Sequence, residues 1–304
     1  RRWCGGGGAD VSMATAERTD PPKSTSVTSL SDEQFKRLST YIESELGIKM
    51  PPVKRVMLES RLQKRLRALK LPSFGEYLDL VFAEESTNGE LVHMIDAVTT
   101  NKTDFFREPD HFDFLLARLL PNEFAARGWG DREPMKLWSS ASSSGEEAYT
   151  MAMVLEEFRE QESRFQYRIL GTDISTTMLE RARSAIYPED RVAPVAESLR
   201  KKYLLRSKER DARLVRVKPT LRRNVVFHRL NLMADQFGIR DSFQVIFCRN
   251  VIIYFDRTNQ ARLLRKLYDH LVPGGYLFLG HSETMAGMDL PLVSVAPTIY
   301  QKRE

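Results

Sequence analysis

Cysteine is scarce in this chain, whose 304 residues include only Cys4 and Cys248. Two cysteines cannot build a disulfide framework or a cysteine-based zinc site, which excludes the small disulfide-rich and zinc-stabilised classes of protein. Apolar runs are short, and none approaches the roughly 18 residues that a membrane-spanning helix needs. A secretory signal with a clear apolar core is also missing. We therefore expect a cytoplasmic protein without direct membrane insertion.

The excess of charge of either sign is small. Lys and Arg number 46 against 41 Asp and Glu, which gives a formal net charge of +5. A mildly basic chain can bind an acidic partner but does not require nucleic acid. The chain has no base-flipping signature of the Asn-Pro-Pro-Tyr type and no basic groove interleaved with aromatic residues. We therefore expect no nucleic-acid partner.

The first 28 residues are rich in Gly, Ser, Thr and Pro and have almost no periodic apolar pattern. Such a composition cannot bury enough apolar surface to fold, so we expect a disordered leader over 1–28. The twelve residues before Met13 are set aside, and Met13 is taken as the biological start.

Residues 29–98 predict an N-terminal helical domain. Its first helix has Ser31 as N-cap and Gly47 as C-cap. Between the caps, apolar residues fall at helical spacing: Phe35, Leu38, Ile42 and Leu46. Three more helices are predicted over 54–69, 73–82 and 87–98.

From residue 109 to 304, strands and helices alternate, which predicts an α/β domain with a mostly parallel sheet covered by helices on both faces. The predicted strands are 136–139, 167–172, 225–230, 244–248, 276–279 and 298–302. The predicted helices are 111–126, 146–160, 175–185 and 260–271. The alternating run LVRVKP interrupts this order and indicates a small inserted β subdomain at about 188–224. Ligands of such sheets bind at the carboxyl ends of the strands, which are therefore the candidate sites.

The first strand ends in the loop SSASSSG, residues 139–145, which leads into a helix that begins with Glu146 and Glu147. Small residues let backbone amides approach a ligand. A phosphate would be favoured by the helix N-terminus but repelled by the two glutamates. A cationic ligand without phosphate fits better, and S-adenosylmethionine is such a ligand. The alternative is a serine-rich loop followed by ordinary N-terminal glutamates.

Polar residues also follow the next three strands. Asp173 could accept hydrogen bonds from both ribose hydroxyls of an adenosine, or could be a helix N-cap. Asn231 could contact an adenine edge while Leu232 packs on the ring, or could be an ordinary loop asparagine. Arg249 needs a partner if it is buried, which indicates an organised polar site that includes Asn250.

Two further segments supply candidate residues. Tyr254 lies four residues beyond Asn250 and could face the same cleft. The linker 99–108 between the two regions contains adjacent phenylalanines, which we expect to pack onto the sheet. They would carry the linker's polar residues into the cleft, namely Asn101, Thr103 and Arg107. Cys248 is interpreted as a packed apolar residue, because no Cys–His pairing is visible.

Together these segments resemble the chemotaxis receptor methyltransferases, the CheR family. The resemblance covers about residues 30–304 and is carried, in the family's order, by TTNKTDFFRE (99–108), LWSSASSSGEEAYTMAM (137–153), ILGTDISTTMLERARSAIY (169–187), NLM (231–233), FQVIFCRNVIIYFD (243–256) and GGYLFLGHSE (274–283).

The resemblance implies a class I S-adenosylmethionine-dependent methyltransferase fold with a Rossmann-like sheet, an N-terminal helical domain and an inserted β subdomain. It implies transfer of methyl groups to glutamate side chains on the cytoplasmic helical region of chemoreceptors. S-adenosylhomocysteine would be the product, and no metal would be required.

The resemblance also assigns roles to residues. Asn101, Thr103 and Arg107 would line the cofactor pocket from the linker. Glu147 would bind the methionine end and Asp173 the ribose, and only the resemblance favours Glu147 over Glu146. The remaining positions would bracket the adenine (Asn231, Leu232), close the site (Arg249, Asn250) and lie nearest the methyl (Arg107, Tyr254).

The sequence departs from the family pattern at two places. Ala148 stands where the family commonly has proline, which a helix interior tolerates well. The loop 207–213 lacks the glycines of members that grip a receptor's C-terminal peptide tether, so the sequence gives no support for tether binding.

The expected reaction is an in-line displacement of methyl from sulfonium to a carboxylate oxygen. A carboxylate is ionised at neutral pH, so Arg107 and Tyr254 are expected to orient the reacting groups and not to remove a proton. The second helix carries many basic residues, and we expect Arg55, Arg61, Lys64, Arg65 and Arg67 to dock the acidic methylation helices of receptors. The alternative is a solvated amphipathic face.

Two other functions remain open at this point. One is a methyltransferase that acts on nucleic acid or a small molecule. The other is a non-catalytic docking module that retains the fold, although candidate residues at every strand end argue against it.

Overall fold

A computed structural model describes residues 29–83 and 89–303. The predicted disordered leader lies outside the described residues, as does the predicted start of the fourth helix. Within the described ranges, no helix is long and apolar enough to cross a membrane.

Four helices form the N-terminal domain: α1 (Asp32–Leu46), α2 (Arg55–Leu69), α3 (Phe74–Val81) and α4 (Glu90–Val98). The predicted caps of α1 are confirmed. The Ser31 hydroxyl accepts a hydrogen bond from the backbone N–H of Gln34, and Gly47 ends the helix in the left-handed conformation at φ 68°. The apolar face of α1 packs against the buried leucines of α2, namely Leu58, Leu62 and Leu66.

Seven helices and ten strands make up the rest of the described chain. The helices are α5 (Pro109–Phe114), α6 (Leu120–Arg127), α7 (Glu146–Gln161), α8 (Thr176–Ser184), α9 (Glu197–Tyr203), α10 (Pro219–Arg222) and α11 (Arg257–Asp269). The strands are β1 (Met135–Ser139), β2 (Tyr167–Asp173), β3 (Ile186–Pro188), β4 (Leu204–Arg206), β5 (Leu214–Val217), β6 (Val225–Arg229), β7 (Phe243–Cys248), β8 (Leu271–Leu279), β9 (Leu292–Ala296) and β10 (Ile299–Lys302).

The central sheet has seven strands in the order β6-β2-β1-β7-β8-β10-β9. The first five are parallel to one another, and β10 and β9 are antiparallel additions at one edge. The predicted mostly parallel sheet is therefore confirmed. Cys248 is fully buried in the apolar cluster between this sheet and α11, and burial raises the pKa of its thiol. The thiol is thus a packing group, as expected.

The strand β9 was not predicted, and two predicted elements have clearly different bounds in the structure. The single helix predicted over 111–126 is divided by a π-helix at Leu115–Leu119. Pro121 lies two residues beyond the end of the π-helix. Proline has no N–H for the carbonyl four residues earlier, which accounts for the irregular turn. The strand β8 begins at Leu271, earlier than the predicted 276. It pairs with β7 on both sides of Pro273 to Gly275, and the pairing register shifts across these residues.

A second sheet of three antiparallel strands, in the order β3-β5-β4, lies between α8 and β6 in the chain. The alternating run that predicted a strand forms β5, where Val215 and Val217 are buried and the intervening residues are exposed. The sheet's first strand begins at Ile186. It is the β subdomain that the sequence indicated.

The helical domain forms hydrogen bonds with the loops that follow three strands of the sheet. After β2, the carboxylate of Asp96 in α4 accepts hydrogen bonds from the N–H and hydroxyl groups of Thr176 and Thr177, at 2.7 to 3.1 Å. After β6, the Asn231 side chain donates to the Glu45 carbonyl at 2.7 Å. After β7, the Lys49 amide donates to the Tyr254 carbonyl at 2.9 Å. The edge of the sheet where ligands bind is thus covered by the helical domain.

The Asp96 contact is a helix cap supplied by another domain, and its removal should weaken the docking of the helical domain. We expect Asp96→Ala to lower the free energy of unfolding by about 2 kcal/mol, because it leaves the first amides of α8 without their acceptor. Chemical denaturation measures this. The matched control is Asp79→Ala, which removes an exposed ion pair with Arg37 and should cost less than about 1 kcal/mol.

The same contact predicts a pH dependence. Burial raises the pKa of Asp96, but hydrogen bonds from Thr177, Ser175 and Thr176 outweigh it and lower the pKa below its usual value. The stabilisation is therefore complete at neutral pH and is lost as pH falls below about 4, the ordinary range of an aspartate. Equal losses for both alanine variants at neutral pH would contradict the cap.

Candidate active site

The ends of β1, β2, β6 and β7 open into one cavity of about 200 Å³. The helical domain closes it from the other side through Leu46, Ile48, Met50, Lys54, Met57 and Val98. All ten residues that the sequence predicted for cofactor binding or catalysis line this cavity: Asn101, Thr103, Arg107, Glu147, Asp173, Asn231, Leu232, Arg249, Asn250 and Tyr254. They come from five separate segments of the chain.

The serine loop enters α7 through a turn that only glycine fits comfortably. Gly145 has φ 94°, and a Cβ there would lie 2.9 Å from the Cβ of Ala182. The two glutamates that follow point to different partners. Glu146 pairs with Arg191 at 3.0 Å and accepts from the Ser144 hydroxyl at 2.6 Å, and it does not line the cavity. Glu147 does.

Glu147 is held in a buried network centred on Arg249. One oxygen of Glu147 accepts from the Ser139 hydroxyl at 2.7 Å, and the other accepts from Nε of Arg249 at 2.9 Å. The Arg249 guanidinium also donates to the Arg107 carbonyl at 2.6 Å and contacts Nδ1 of His111 at 2.9 Å. Because a carboxylate can accept about four hydrogen bonds, Glu147 keeps capacity for a cation in the cavity.

His111 serves this network as a neutral acceptor. Burial, and after it the charge of Arg249, lower the pKa of His111 to about 4. The Thr298 hydroxyl donates to the Pro297 carbonyl, which leaves its oxygen to accept from Nε2 of His111 at 2.9 Å. This assignment places the proton on Nε2 and the lone pair of Nδ1 toward Arg249.

Asp173 lies at the end of β2 with both oxygens turned to backbone amides. They accept from the N–H groups of Ser143 and Ser175 at 2.8 and 2.9 Å. Burial raises the pKa of Asp173, and the two amides act against that effect. Each oxygen retains a lone pair, so the carboxylate can still accept from hydroxyl groups. The residue thus joins the serine loop to the turn before α8.

Asn231 is more constrained than the sequence suggested. Its side-chain oxygen accepts from the Met233 amide at 2.9 Å, and its NH₂ group donates to the helical domain. One N–H of that group remains for a ligand, so Asn231 can act toward an adenine as a donor. Its neighbour Leu232 is buried at the cavity wall.

The linker packs as expected. Phe105 is buried in the core of the sheet domain, with its ring 5.0 Å from that of Tyr187 in an edge-on arrangement. The residues on either side of Arg107 adopt left-handed backbone conformations, with φ 52° at Phe106 and 56° at Glu108. Strained non-glycine residues of this kind are concentrated at functional sites. The linker is therefore bent so that Arg107 reaches the cavity.

Glu283 is a site residue that sequence reasoning missed. Its buried carboxylate accepts from four backbone amides, those of Gly280, Asn250, Val251 and Ile252, at 2.6 to 2.9 Å. Burial raises its pKa, which these amides oppose. This one side chain thus binds three consecutive amides of the loop that carries Asn250 and Tyr254. Its signal was its place at the end of the segment GGYLFLGHSE, four residues after the last residue of β8, but the sequence prediction gave Glu283 no role.

Glu108, His111 and His281 could hold a metal ion by distance alone, with candidate ligand atoms within 4.8 Å of one another. Both ring nitrogens of His111 already contact Arg249 and Thr298, and a cation there would face the guanidinium. We assign the three side chains to hydrogen bonding, and the expectation that no metal is required stays a prediction.

The five predicted docking residues of α2 divide into two groups. Arg61 donates to the carbonyls of Val98 and Thr99 and to the Thr100 hydroxyl. Arg65 makes a two-pronged ion pair with the buried Glu90, at 2.9 and 2.6 Å. The guanidinium groups of Arg61 and Arg65 therefore have partners inside the helical domain, and their role in docking stays a prediction.

The side chains of the other three basic residues, Arg55, Lys64 and Arg67, are more exposed to solvent than that of Arg65. Arg55 pairs with the exposed Asp32 at 2.5 Å and stacks on Phe35. Lys64 and Arg67 are exposed, and within the part of the chain that the structure describes neither has an ion-pair partner. These two remain as candidates for binding an acidic partner.

Comparison with known proteins gives consistent matches along the chain. Residues 33–99 match the CheR methyltransferase all-alpha domain, and residues 101–299 match the CheR methyltransferase SAM binding domain. A chemotaxis protein methyltransferase of Borreliella burgdorferi is 38% identical over 90% of this chain and 95% of its own length. One from Escherichia coli is 38% identical over 89% of this chain and 91% of its own.

The contacts of Glu283 predict its effect on the site. Glu283→Gln turns an NH₂ group toward backbone donors, so two amides lose their acceptor. We expect a loss of about 2 kcal/mol in the free energy of unfolding, measured by denaturation. We also expect weaker ligand binding by the loop that carries Asn250. The control Glu180→Gln changes an exposed glutamate of α8 and should have no effect. Wild-type stability of Glu283→Gln would refute the clamp.

Proposed function

Because the chain belongs to the CheR methyltransferase family, we propose that it transfers the methyl group of S-adenosylmethionine to glutamate side chains of chemoreceptors. It is a methyltransferase with an S-adenosylmethionine-binding domain. The glutamate substrate and the cytoplasmic helical region of receptors as partner are the finer parts of the proposal.

The observation that carries the proposal is the convergence of ten residues from five chain segments on one cavity. The cavity offers a carboxylate in the first turn of α7, where a phosphate-binding turn would offer bare amides. That arrangement favours a ligand with positive charge and no phosphate. A sulfonium compound with an ammonium group meets both conditions.

The residues present fit this cofactor. Glu147 keeps acceptor capacity beyond Ser139 and Arg249, which suits an ammonium group. Asp173 keeps one lone pair on each oxygen for ribose hydroxyls. Asn231 keeps one N–H for an adenine nitrogen, with Leu232 beside it. When bound, S-adenosylmethionine supplies an electrophilic methyl group on a sulfonium centre.

The protein itself contributes by positioning the reacting groups and by excluding water from the cavity. Arg107 and Tyr254 line the cavity near the linker and the loop after β7, and we assign them to orienting the reacting groups. A glutamate substrate is already ionised at neutral pH, so no residue has to act as a strong base. The helical domain shields the cavity, which strengthens electrostatic contacts inside it. Positioning and desolvation thus supply most of the rate enhancement.

The decisive experiment is transfer of labelled methyl from S-adenosylmethionine to cytoplasmic receptor fragments. A glutamate methyl ester loses its label in mild base, so base-labile label on receptor is the expected result. Label on RNA, DNA or a small molecule would point to the other kind of methyltransferase. Failure to bind S-adenosylmethionine in calorimetry would favour a non-catalytic docking module.

Arg107→Ala sharpens this test. Loss of the orienting guanidinium should reduce turnover about 100-fold, as misplacement of reacting groups commonly does. Arg118→Ala, at an exposed position on the π-helix, is the matched control and should retain activity. Near-normal turnover by Arg107→Ala would remove Arg107 from the mechanism.

Receptor docking is proposed at Lys64 and Arg67, whose charges are not neutralised by the described residues around them. The double variant Lys64→Glu with Arg67→Glu should lower kcat/KM for receptor about tenfold, and less at high salt, because exposed charges act through screened attraction. Its affinity for S-adenosylmethionine should not change.

Arg65→Glu is the contrasting variant for this test. It leaves the buried Glu90 beside a like charge and should destabilise the fold, with loss of both receptor methylation and cofactor affinity. If the exposed double variant methylates receptor at the wild-type rate at low salt, docking does not use this face.

A further inference from the structure

The adenine side of the cavity is supported from behind by a helix that does not line it. None of the described lining residues belongs to α11. Yet α11 donates hydrogen bonds to three consecutive backbone carbonyls of the loop after β6, those of Leu232, Met233 and Ala234. We call residues 231–234 the adenine loop.

Lys266 makes most of these contacts. Its ammonium donates to the Leu232 carbonyl at 2.9 Å and to the Ala234 carbonyl at 2.6 Å. It also lies 4.5 Å from the centre of the Phe237 ring, within range of a cation–π contact. The ammonium thus contacts two backbone carbonyls and one aromatic ring. Among the described residues, no carboxylate lies within ion-pair distance of it.

Arg262, one turn earlier on α11, donates to the Met233 carbonyl at 2.8 Å. Inside the loop, the Asn231 side chain accepts from the Met233 amide. The loop is therefore fixed from within by Asn231 and from outside by two cations. A half-buried lysine without a carboxylate partner is costly, which argues that its carbonyl contacts matter.

We propose that Lys266, assisted by Arg262, is a positioning residue for the cofactor: it holds the adenine loop in the shape that presents Asn231 and Leu232 to the adenine. The inference rests on the proposed function, because it assumes that this end of the cavity receives the adenosine. Lys266 touches neither the cofactor nor the substrate and should affect binding, not the chemical step.

The charge state of Lys266 gives the proposal a specific readout. Burial, and after it the charge of Arg262, lower the pKa of Lys266 to about 8, while the charge of Asp235 opposes both effects. On the far side, the His270 ring stacks on Phe237 with centroids 5.7 Å apart. The protonated form makes the strongest hydrogen bonds to carbonyls. The clamp is therefore complete below about pH 8 and weakens as pH rises through that value.

The test compares the wild type with Lys266→Arg and Lys266→Met by calorimetry at pH 7 and pH 9. The probe is 5′-methylthioadenosine, which carries the adenosine but has no amino group that titrates in this range; S-adenosylmethionine is titrated in parallel. Lys266→Met should bind about tenfold more weakly at pH 7 and show no further loss at pH 9. Wild type should lose several-fold in affinity between the two pH values, and Lys266→Arg should not.

Turnover separates positioning from general damage. At saturating S-adenosylmethionine, kcat for receptor methylation should be unchanged in Lys266→Met while KM for the cofactor rises about tenfold. Arg265→Met, at an exposed position of the same helix, controls for loss of a cation from α11 and should match the wild type.

Two outcomes would overturn the inference in distinguishable ways. If wild type binds the cofactor and Lys266→Met binds it equally well at both pH values, the clamp is refuted and the proposed function stands. If wild type binds neither S-adenosylmethionine nor methylthioadenosine, the cofactor assignment fails and the clamp fails with it.

Discussion

The ion pair between Glu147 and Arg249 is the interaction on which the site depends. A buried guanidinium is tolerated only when its donors are satisfied, and Arg249 satisfies them with Glu147, His111 and the Arg107 carbonyl. Through these contacts it fixes three things at once: the carboxylate of α7, the first helix after the linker and the linker itself. Its neutral histidine partner adds an acceptor without adding charge.

A second constraint is that the helical domain forms part of the wall of the cavity that we assign to the cofactor. It supplies an apolar wall and fastens the loops after β2, β6 and β7, while the sheet domain supplies the polar groups. The helix α2 takes part both in the cavity wall and in the packing of the helical domain. Met57 lines the cavity, Arg61 and Arg65 hold the domain together, and Lys64 and Arg67 remain exposed. The docking and the cofactor binding that we propose thus fall on different faces of α2.

Many helices and strands, and the meeting of the strand ends, could be predicted from the sequence, because the patterns that indicate them lie within a few neighbouring residues. The caps of α1, the buried runs of the parallel strands and the small-residue loop before Glu147 each depend on a few neighbouring residues. The predicted strand ends therefore met at one edge. The strand β9 was missed because most of its residues are exposed and show no apolar alternation. The π-helix and the early start of β8 depend on how proline and glycine are accommodated.

Side-chain partners distant in sequence were not predictable. Nothing local distinguishes Glu146 from Glu147; their roles follow from Arg191 and Arg249, far along the chain. Arg61 and Arg65 have the spacing of a surface patch, and only Glu90 and the end of α4 reveal their internal role. Glu283 follows a strand, but its four amide partners become visible only when the loops meet.

The contact between His111 and Thr298 joins positions 187 residues apart. The acceptor that His111 offers to Arg249 is oriented by this contact, and Thr298 lies in the turn between β9 and β10. During synthesis on the ribosome, the chain must therefore extend past Thr298 before the His111 acceptor of the buried arginine is held in its orientation. Contacts so distant in sequence form late and slow folding. A chain that stops before the β9–β10 hairpin would therefore contain all five parallel strands and still lack the contact that orients the His111 acceptor.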